Sequence, residues 1–505
     1  MDCVVSKPKR RLLIRADGST TLGTGHVMRC ISLAQGWRRA GGAARFVLAE
    51  ATPSLEERIR QEGFEYGRIR AVPGSVDDAD GAVAAAKETG AEWVVADGYS
   101  FGSDYQRRIK DAGHRLLLVD DYGHADHYSA DIVLNQNLSA REEWYKNRES
   151  HTELLLGTRH VLLNQRFLQY RDWKREIALV ANKVLVTLGG CDPDNVTGKV
   201  VEAIKDLDVT ATIVVGGGNP HREALQAVLD SLYSNLRLVA NVSEMPELMA
   251  WADVAVTAGG TTSWEVLFMG LPCVTLAVAP NQKLLAQSLA TADLADNLGD
   301  ACRVTSAEIR EDLCMLMNSA DIRQRRSEAG RRAVDGRGGE RVANALGGET
   351  LVLRTMAAED CRRVWKWAND QAARQASFCS DHVSWDTHRE WFEKRLHNPS
   401  CRDYVASSRD GLIIGLARFD VTESNSEISV SIDADHRGVG YGERLIALGT
   451  QRFIHDTRAE VVTALIKPDN DRSLRTFRKA GYRPCGRIVV QGHKAERLVF
   501  ERQNR

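Results

Sequence analysis

Through the first 350 residues, short apolar runs alternate with stretches whose apolar positions recur every three to four residues. That is the pattern of parallel α/β domains. Residues 12–16 predict a first strand, and 26–39 a helix with Val27, Ile31 and Ala34 on one face. Further strands are expected at 45–49, 93–97, 116–120 and 130–135. After Trp173 the pattern restarts, with strands expected at 183–190, 211–218, 254–260 and 272–278. Two such domains in tandem, 11–175 and 176–345, leave a cleft between them, a usual place for a ligand. Residues 334–348, glycine-rich and charged, read as a linker to a third domain over 350–505. In that domain 427–433 alternates like a half-buried strand and 443–449 is apolar at helical spacing. Residues 461–467 read as another strand. Leu474, Phe477 and Ala480 then form a helical stripe ending at Gly481-Tyr482.

Composition narrows this picture without redirecting it. The 505 residues suit about three domains on a prior of ~150 residues each. Hydrophobic content of 43% with 27% charged residues is ordinary for a globular protein, and the formal net charge of −1 implies no nucleic-acid or membrane field. Ten scattered cysteines without a Cys-x-x-Cys pair argue for reduced cytosolic thiols rather than a disulfide scaffold or zinc site. Lys7, Lys9, Arg10 and Arg11 precede no long apolar run, so neither a signal peptide nor a membrane span is expected, and a cytoplasmic location is.

Candidate chemistry gathers at glycine-rich turns between strand and helix. The first runs from Arg15-Ala16-Asp17-Gly18 to Gly23-Thr24-Gly25-His26. Its glycines permit a tight loop over an anion, and His26 opens the helix, where a neutral imidazole is a competent general base. A histidine merely capping the helix on a solvated turn is the other reading. The second turn is Leu188-Gly189-Gly190-Cys191-Asp192, and the third is Ala258-Gly259-Gly260-Thr261-Thr262-Ser263-Trp264-Glu265. Thr261 and Thr262 open a helix whose N–H groups and hydroxyls can hold phosphate. Glu265 is placed to accept from ribose hydroxyls or, equally, to complete a capping box with Thr261 or Thr262. The fourth turn, Arg437-Gly438-Val439-Gly440-Tyr441-Gly442, leads from a strand to a helix N-terminus able to hold a diphosphate.

That fourth turn, followed by Asn470, Ser473 and Gly481-Tyr482, resembles the GCN5-related N-acetyltransferase (GNAT) family, with its Arg/Gln-x-x-Gly-x-Gly/Ala and Asn-x-x-Ser/Ala motifs in order. The resemblance covers roughly 350–505. It implies acetyl-CoA as cosubstrate, held at Ile432, Arg437, Gly438, Val439, Gly440, Tyr441, Gly442, Asn470, Ser473 and Phe477. The pantetheine arm would lie along a strand at 427–433 that splays from its neighbour. Many members carry, where this chain has Phe477, a tyrosine that protonates the departing thiolate, and phenylalanine has no proton to give. Glu427 and His436 are candidates for the base. Residues 384–392 resemble the acceptor-side helix of such enzymes, although Trp385, His388, Trp391 and Phe392 fit a plain amphipathic helix.

Residues 11–345 resemble nucleotide-sugar enzymes of GT-B type, in particular the UDP-sugar hydrolases of pseudaminic acid biosynthesis. The stretches carrying this are Arg15-Ala16-Asp17, Gly23-Thr24-Gly25-His26-Val27-Met28-Arg29, Asp97-Gly98-Tyr99, Val119-Asp120-Asp121 and Asp131-Ile132-Val133-Leu134-Asn135, followed by the second and third glycine turns. The resemblance implies an α/β, GT-B-like pair of Rossmann-like domains followed by the GNAT domain. It also implies release of UDP by water attack at the anomeric carbon, with inversion. His26 would be the base and Asp17 its orienting partner, and Tyr99 would bind the sugar. Gly25, Gly189, Gly190, Gly260, Thr261, Thr262 and Glu265 would hold substrate and UDP, with no metal expected. Acetylation of a UDP-linked amino sugar and hydrolysis of its product are consecutive steps, which suits a fusion. A glycosyltransferase with an accessory acetyltransferase and a nucleotide-sugar-binding module without turnover are the rival readings.

Overall fold

The computed structural model describes residues 10–19, 23–190, 192–232, 235–240, 242, 244–347, 351–408, 411–422 and 426–502. Cys191 and the stretch 20–22 of the first turn lie outside the described residues. The chain divides into two compact units, 1–348 and 349–505.

The first unit holds two parallel sheets. One comprises β1 (Arg11–Ala16), β2 (Ala43–Leu48), β3 (Glu65–Arg68), β4 (Trp93–Asp97), β5 (Arg115–Val119), β6 (Ile132–Asn135) and β7 (Glu153–Leu156), in the order β3-β2-β1-β4-β5-β6-β7. The other comprises β8 (Lys183–Thr187), β9 (Thr210–Val215), β10 (Leu236–Ala240), β11 (Val254–Ala258), β12 (Cys273–Ala277) and β13 (Asp296–Asp300), in the order β10-β9-β8-β11-β12-β13. Both are Rossmann-like, and their central strands are buried throughout, as parallel strands covered on both faces must be. The expected strands form, but those reaching into glycine stop short: β8 ends at Thr187, β9 at Val215 and β11 at Ala258, leaving the glycines to the turns. Strand order reverses beside β1 in one sheet and beside β8 in the other. Such switch points open a crevice at the carboxyl ends of the strands.

The expected linker is instead largely structured. Gly338–Ala345 is a helix whose Val342 and Ala343, with Leu346 just beyond, enter the core of the first domain against the helix Gly25–Arg39. Gly36 and Gly339 let the two helices meet: a Cβ on Gly36 would stand 3.2 Å from the Gly339 carbonyl oxygen. The charge and glycine that suggested a loop are the outer face and the contact point of this helix.

The second unit is a seven-stranded sheet of β14 (Val352–Thr355), β15 (Cys401–Ser407), β16 (Ile413–Val421), β17 (Ser426–Ile432), β18 (Val461–Ile466), β19 (Arg483–Val490) and β20 (His493–Glu501). The order is β14-β15-β16-β17-β18-β20-β19, antiparallel except for β17 beside β18. The helix Tyr441–Thr457 covers one face, burying Leu445, Ile446 and Phe453 over Ala417 and Phe419. The Phe419 and Phe453 rings stack with centroids 4.3 Å apart.

Candidate active sites

The first site lies where β1, β4 and β5 end. The chain leaves β1, turns, and enters the helix Gly25–Arg39, so that His26 and Arg29 project one helical turn apart toward the ends of the strands. Asp97, the last residue of β4, is fully buried and meets His26 Nδ1 at 2.6 Å. Arg29 clamps the same carboxylate, Nε donating to Oδ2 at 2.6 Å and Nη2 to Oδ1 at 2.7 Å. Its other face reaches Asp121 after β5, at 2.7 and 3.0 Å. Burial opposes ionisation of Asp97, but the Arg29 charge and the hydrogen bonds from Arg29 and His26 hold its carboxyl well below the usual range. A carboxylate bonded to Nδ1 fixes the tautomer that leaves Nε2 bare. Arg29 Nη2 also lies 3.2 Å from Nδ1, but its protons are already directed to Asp97 and Asp121, so the shorter carboxylate bond sets the tautomer.

Tyr99 stands edge-on to His26, ring centroids 4.9 Å apart, and donates to Asp121 Oδ2 at 3.0 Å. Asn281, from the second domain, donates to the Tyr99 hydroxyl at 3.3 Å, so the two Rossmann-like domains meet at this residue. The glycine turns converge on the same place. A Cβ on Gly25 would lie 3.8 Å from Thr261 Oγ1, and one on Gly190 would lie 3.5 Å from Thr24 Oγ1. His26, Tyr99, Gly25, Gly190 and Thr261 are thus brought together, with Gly189 and Gly260 as chain neighbours. Among the described residues, no three His, Cys, Asp or Glu side chains are grouped so as to hold a metal ion.

Two expectations change, and Asp192 takes a structural role. Asp17 does not orient His26: it pairs with Arg15 at 2.6 Å and accepts from the Ala49 and Glu50 amides, pinning the turn after β2 to the end of β1. Asp192 caps a helix, accepting from the Val196 and Thr197 amides at 2.8 Å each. No capping box forms at Thr261, whose side chain accepts no capping bond. Glu265 is set into the protein with only an edge exposed, and burial pushes its carboxyl up to about 8 against the pull of Arg58. Sequence reasoning missed the roles of Asp97, Arg29, Asp121 and Asn281. The signal for the two aspartates was present, a carboxylate at the end of an apolar run in β4 and just after one in β5. Their common neighbour Arg29 becomes visible only in three dimensions.

In the second unit the opening between strands is plain. β17 pairs with β16 along its whole length, but with β18 only at Glu427 and Thr463. Beyond Glu427 the edge of β17 facing β18 is unpaired with a strand until the Ile432 carbonyl, and that stretch can bond a ligand in strand fashion. Arg437 follows β17 and donates Nε to the Ile432 carbonyl at 2.9 Å and Nη1 to Asp370 at 2.6 Å. Gly438 and Gly440 take φ of 78° and 95°, turning the chain into the helix Tyr441–Thr457 and baring its first amides. Gly442 lies in that first turn. Val439 and Tyr441 send their side chains into the core, so only their backbone faces the turn. Asn470 caps the helix Asp471–Lys479, accepting from Ser473 N at 3.1 Å. Phe477 is a core residue too, edge-on to Tyr482 at 5.1 Å. Burial, aided by Asp420, raises the Glu427 carboxyl above its ordinary value. His436 remains half-buried, its ring 6.0 Å from that of Tyr441.

Residues 350–483 match the sequence model of the acetyltransferase (GNAT) domain. The second unit is a GNAT domain. Relatives of known sequence match a large part of the chain. An uncharacterized protein of Methanocaldococcus jannaschii is 26% identical over 276 residues, 53% of this chain and 55% of its own length. The spore coat polysaccharide biosynthesis protein SpsG of Bacillus subtilis is 25% identical over 339 residues, 66% of this chain and 96% of that protein. The UDP-2,4-diacetamido-2,4,6-trideoxy-β-L-altropyranose hydrolase of Campylobacter jejuni is 23% identical over 282 residues, 55% of this chain and 96% of the hydrolase. The chain thus spans about half of the first relative and nearly all of the other two. It is a fusion of a unit similar to SpsG and to this hydrolase with a GNAT domain. No helix among the described residues is long and apolar enough to cross a membrane.

Proposed function

We propose that the chain is a bifunctional enzyme of pseudaminic acid biosynthesis. Its GNAT domain moves the acetyl group of acetyl-CoA onto the 4-amino group of a UDP-linked amino sugar. Its first unit then hydrolyses the product, UDP-2,4-diacetamido-2,4,6-trideoxy-β-L-altropyranose, to free sugar and UDP. The observation that carries the hydrolase half is the His26–Asp97 pair beside the converging glycine turns. With Nδ1 committed to Asp97, Nε2 takes a proton from water as the water oxygen bonds to the anomeric carbon. The bond from that carbon to the phosphate oxygen breaks, and UDP leaves with the electron pair. Arg29 and Asp121 hold Asp97 and Tyr99 in place, and Tyr99 faces the sugar. The Gly260-Thr261-Thr262 turn offers amides and hydroxyls to the departing diphosphate, with Gly189 and Gly190 close by. Glu265, largely protonated at neutral pH, meets the nucleotide without repelling it.

In the GNAT domain the free edge of β17 carries the pantetheine arm as far as Ile432, and the turn from Arg437 to Gly442 holds the diphosphate. The amine attacks the thioester carbonyl, Glu427 takes its proton, and the thiolate leaves. The need for acetyl-CoA argues for the cytosol. The test is incubation of the purified protein with the UDP-linked 4-amino sugar, with and without acetyl-CoA, reading sugar mass and free UDP, with His26→Ala alongside. An acetyl-CoA-dependent mass gain followed by UDP release, the latter lost in His26→Ala, is expected. Acetylated sugar that stays UDP-linked unless a hydroxyl acceptor is supplied would point to a glycosyltransferase instead.

A further inference from the structure

One face of the β16–β17 pair carries a positive charge that lies against an aromatic ring and is paired with no carboxylate among the described residues. Along β16, Ala417 and Phe419 enter the core beneath the helix Tyr441–Thr457, so Arg418 projects from the opposite face with Leu416 and Asp420. Its cross-strand partner on β17 is Ser429, with Glu427 one pair further on. Trp391, from the helix Trp385–Leu396, lies over this face, with the Arg395 and Arg418 guanidiniums 5.4 and 5.5 Å from its ring centre. Besides Glu427, two carboxylates are at hand, and both are committed to Arg395. Asp403 receives Nε at 2.6 Å and Nη2 at 2.9 Å, and Asp420 receives Nη1 at 2.6 Å. Among the described residues Arg418 makes no ion pair.

Arg374 adds a third positive charge to the surroundings of Arg418. Burial, Arg395 and Arg374 all push Arg418 below its ordinary value, against the attraction of Asp403 and Asp420. Arg374 donates Nη1 to the Asp381 carbonyl at 2.8 Å, but its Nε is buried with no acceptor. The short helix Gln371–Ala376 that carries it is tied to the acetyl-CoA side at both ends. Asp370, its cap, receives Arg437, and the Gln375 carbonyl receives Lys467 Nζ at 2.9 Å. Arg418 is half-buried with no carboxylate paired to it, while Asp403 and Asp420 are engaged by Arg395, so its guanidinium is available to an incoming anion. That cation stands on the strand next to β17, whose free edge is the acetyl-donor slot.

We infer that Arg418, with Arg374, is the anion subsite for the acetyl acceptor, binding a phosphate of its nucleoside diphosphate while the amine reaches the thioester beside β17. The inference rests on the acetyltransferase reading and adds to it. The acceptor is recognised through its diphosphate, so acetyl transfer must precede loss of the nucleotide.

The test compares acetyl transfer by the full chain to the UDP-linked 4-amino sugar and to the same amino sugar without nucleotide. Arg418→Met keeps the stem against Trp391 without the charge, Arg418→Lys keeps a charge without the fork, and Arg374→Gln is an independent variant. For the nucleotide-linked acceptor, Arg418→Met should raise KM about 10- to 100-fold, the range expected for losing a charge-assisted phosphate contact. The KM for acetyl-CoA should not move. Arg418→Lys should recover part of the loss, Arg374→Gln should show a smaller rise, and UDP should compete with the acceptor in the wild type but not in Arg418→Met. An unchanged acceptor KM in both Arg418→Met and Arg374→Gln, or an equal loss on the free amino sugar, overturns the subsite. So does wild-type transfer to the free amino sugar alone, which leaves the acetyltransferase standing. Transfer to neither acceptor removes the acetyltransferase reading and the subsite with it.

Discussion

His26 Nδ1 lies 2.6 Å from Asp97 Oδ1, and two bonds from Arg29 hold that carboxylate in place. The pair is buried at the end of β4, where little but His26 and Arg29 can answer the Asp97 charge. Asp97→Asn keeps the shape but can present an amide N–H to Nδ1, which then favours the tautomer with its proton on Nε2. UDP release should fall about 10⁴-fold, the scale seen when a buried aspartate behind a catalytic histidine is neutralised. Asp17→Asn removes a carboxylate paired with Arg15 and two backbone amides, so it should lower the melting temperature and leave kcat within a few fold. Rates of UDP release and thermal unfolding of both variants check this. A comparable loss of kcat in Asp17→Asn would restore Asp17 to the catalytic machinery.

Gly216 controls the position of the Gly189-Gly190 turn. A Cβ there would stand 2.2 Å from the Gly190 carbonyl oxygen and 2.5 Å from its Cα, both backbone atoms that cannot swing aside. Gly216→Ala should therefore displace the turn, costing about 2 kcal/mol of stability on the scale of overpacked cores. It should also raise KM for the UDP-sugar about tenfold, since the turn faces Thr24 in the first domain. Steady-state kinetics and urea unfolding read the two effects. A variant with wild-type KM would detach this turn from the nucleotide site.

Much of this was legible in the chain itself, because parallel strands buried on both faces appear as unbroken apolar runs and glycine-rich turns mark where they end. The runs at 93–97 and 254–260 fall on β4 and β11, and His26 falls at the start of its helix. What stayed hidden depends on partners distant in sequence. Asp17 and Asp97 both end or follow strands, and only the geometry assigns one to the backbone and the other to His26. The helix Gly338–Ala345 was concealed by its charge and glycines, since its apolar stripe is short and the partner surface lies some 300 residues earlier. Phe477 is an instance from the GNAT domain. Its motif position suggested contact with the donor, whereas its ring packs in the core with Tyr482.

Glu427 marks the point where β17 and β18 part, and burial with the nearby Asp420 charge raises its carboxyl above the ordinary glutamate range. A base with a raised value is available only above it, so acetyl transfer should increase with pH through a limb displaced upward. Asp420→Asn removes a repelling charge and should move that limb to lower pH. Glu427→Gln should abolish it and reduce kcat about 100-fold, at the lower end of the usual worth of a positioned base. A pH profile of acetyl transfer for the three proteins decides the matter. Glu427→Gln within threefold of wild type would pass the role to another group, with His436 next in line.

Glu265 gives a prediction about pH and stability in the first unit. Burial pushes its carboxyl up to about 8 from an ordinary 4.5, with Arg58 pulling the other way. The folded chain therefore binds a proton that the unfolded chain has already released near neutrality. The stability linked to that proton is fully present below about 4.5 and is lost as pH rises through about 8. Between pH 6 and pH 8 the wild type should lose about 2 kcal/mol relative to Glu265→Gln, which does not titrate. Unfolding of both proteins at the two pH values isolates this difference from every other titrating group. Parallel losses would mean that the carboxyl is ionised and solvated when folded. A selective loss would show that the protein keeps a neutral carboxyl one helical turn from Thr261, able to donate a hydrogen bond beside a diphosphate that an ionised one would repel.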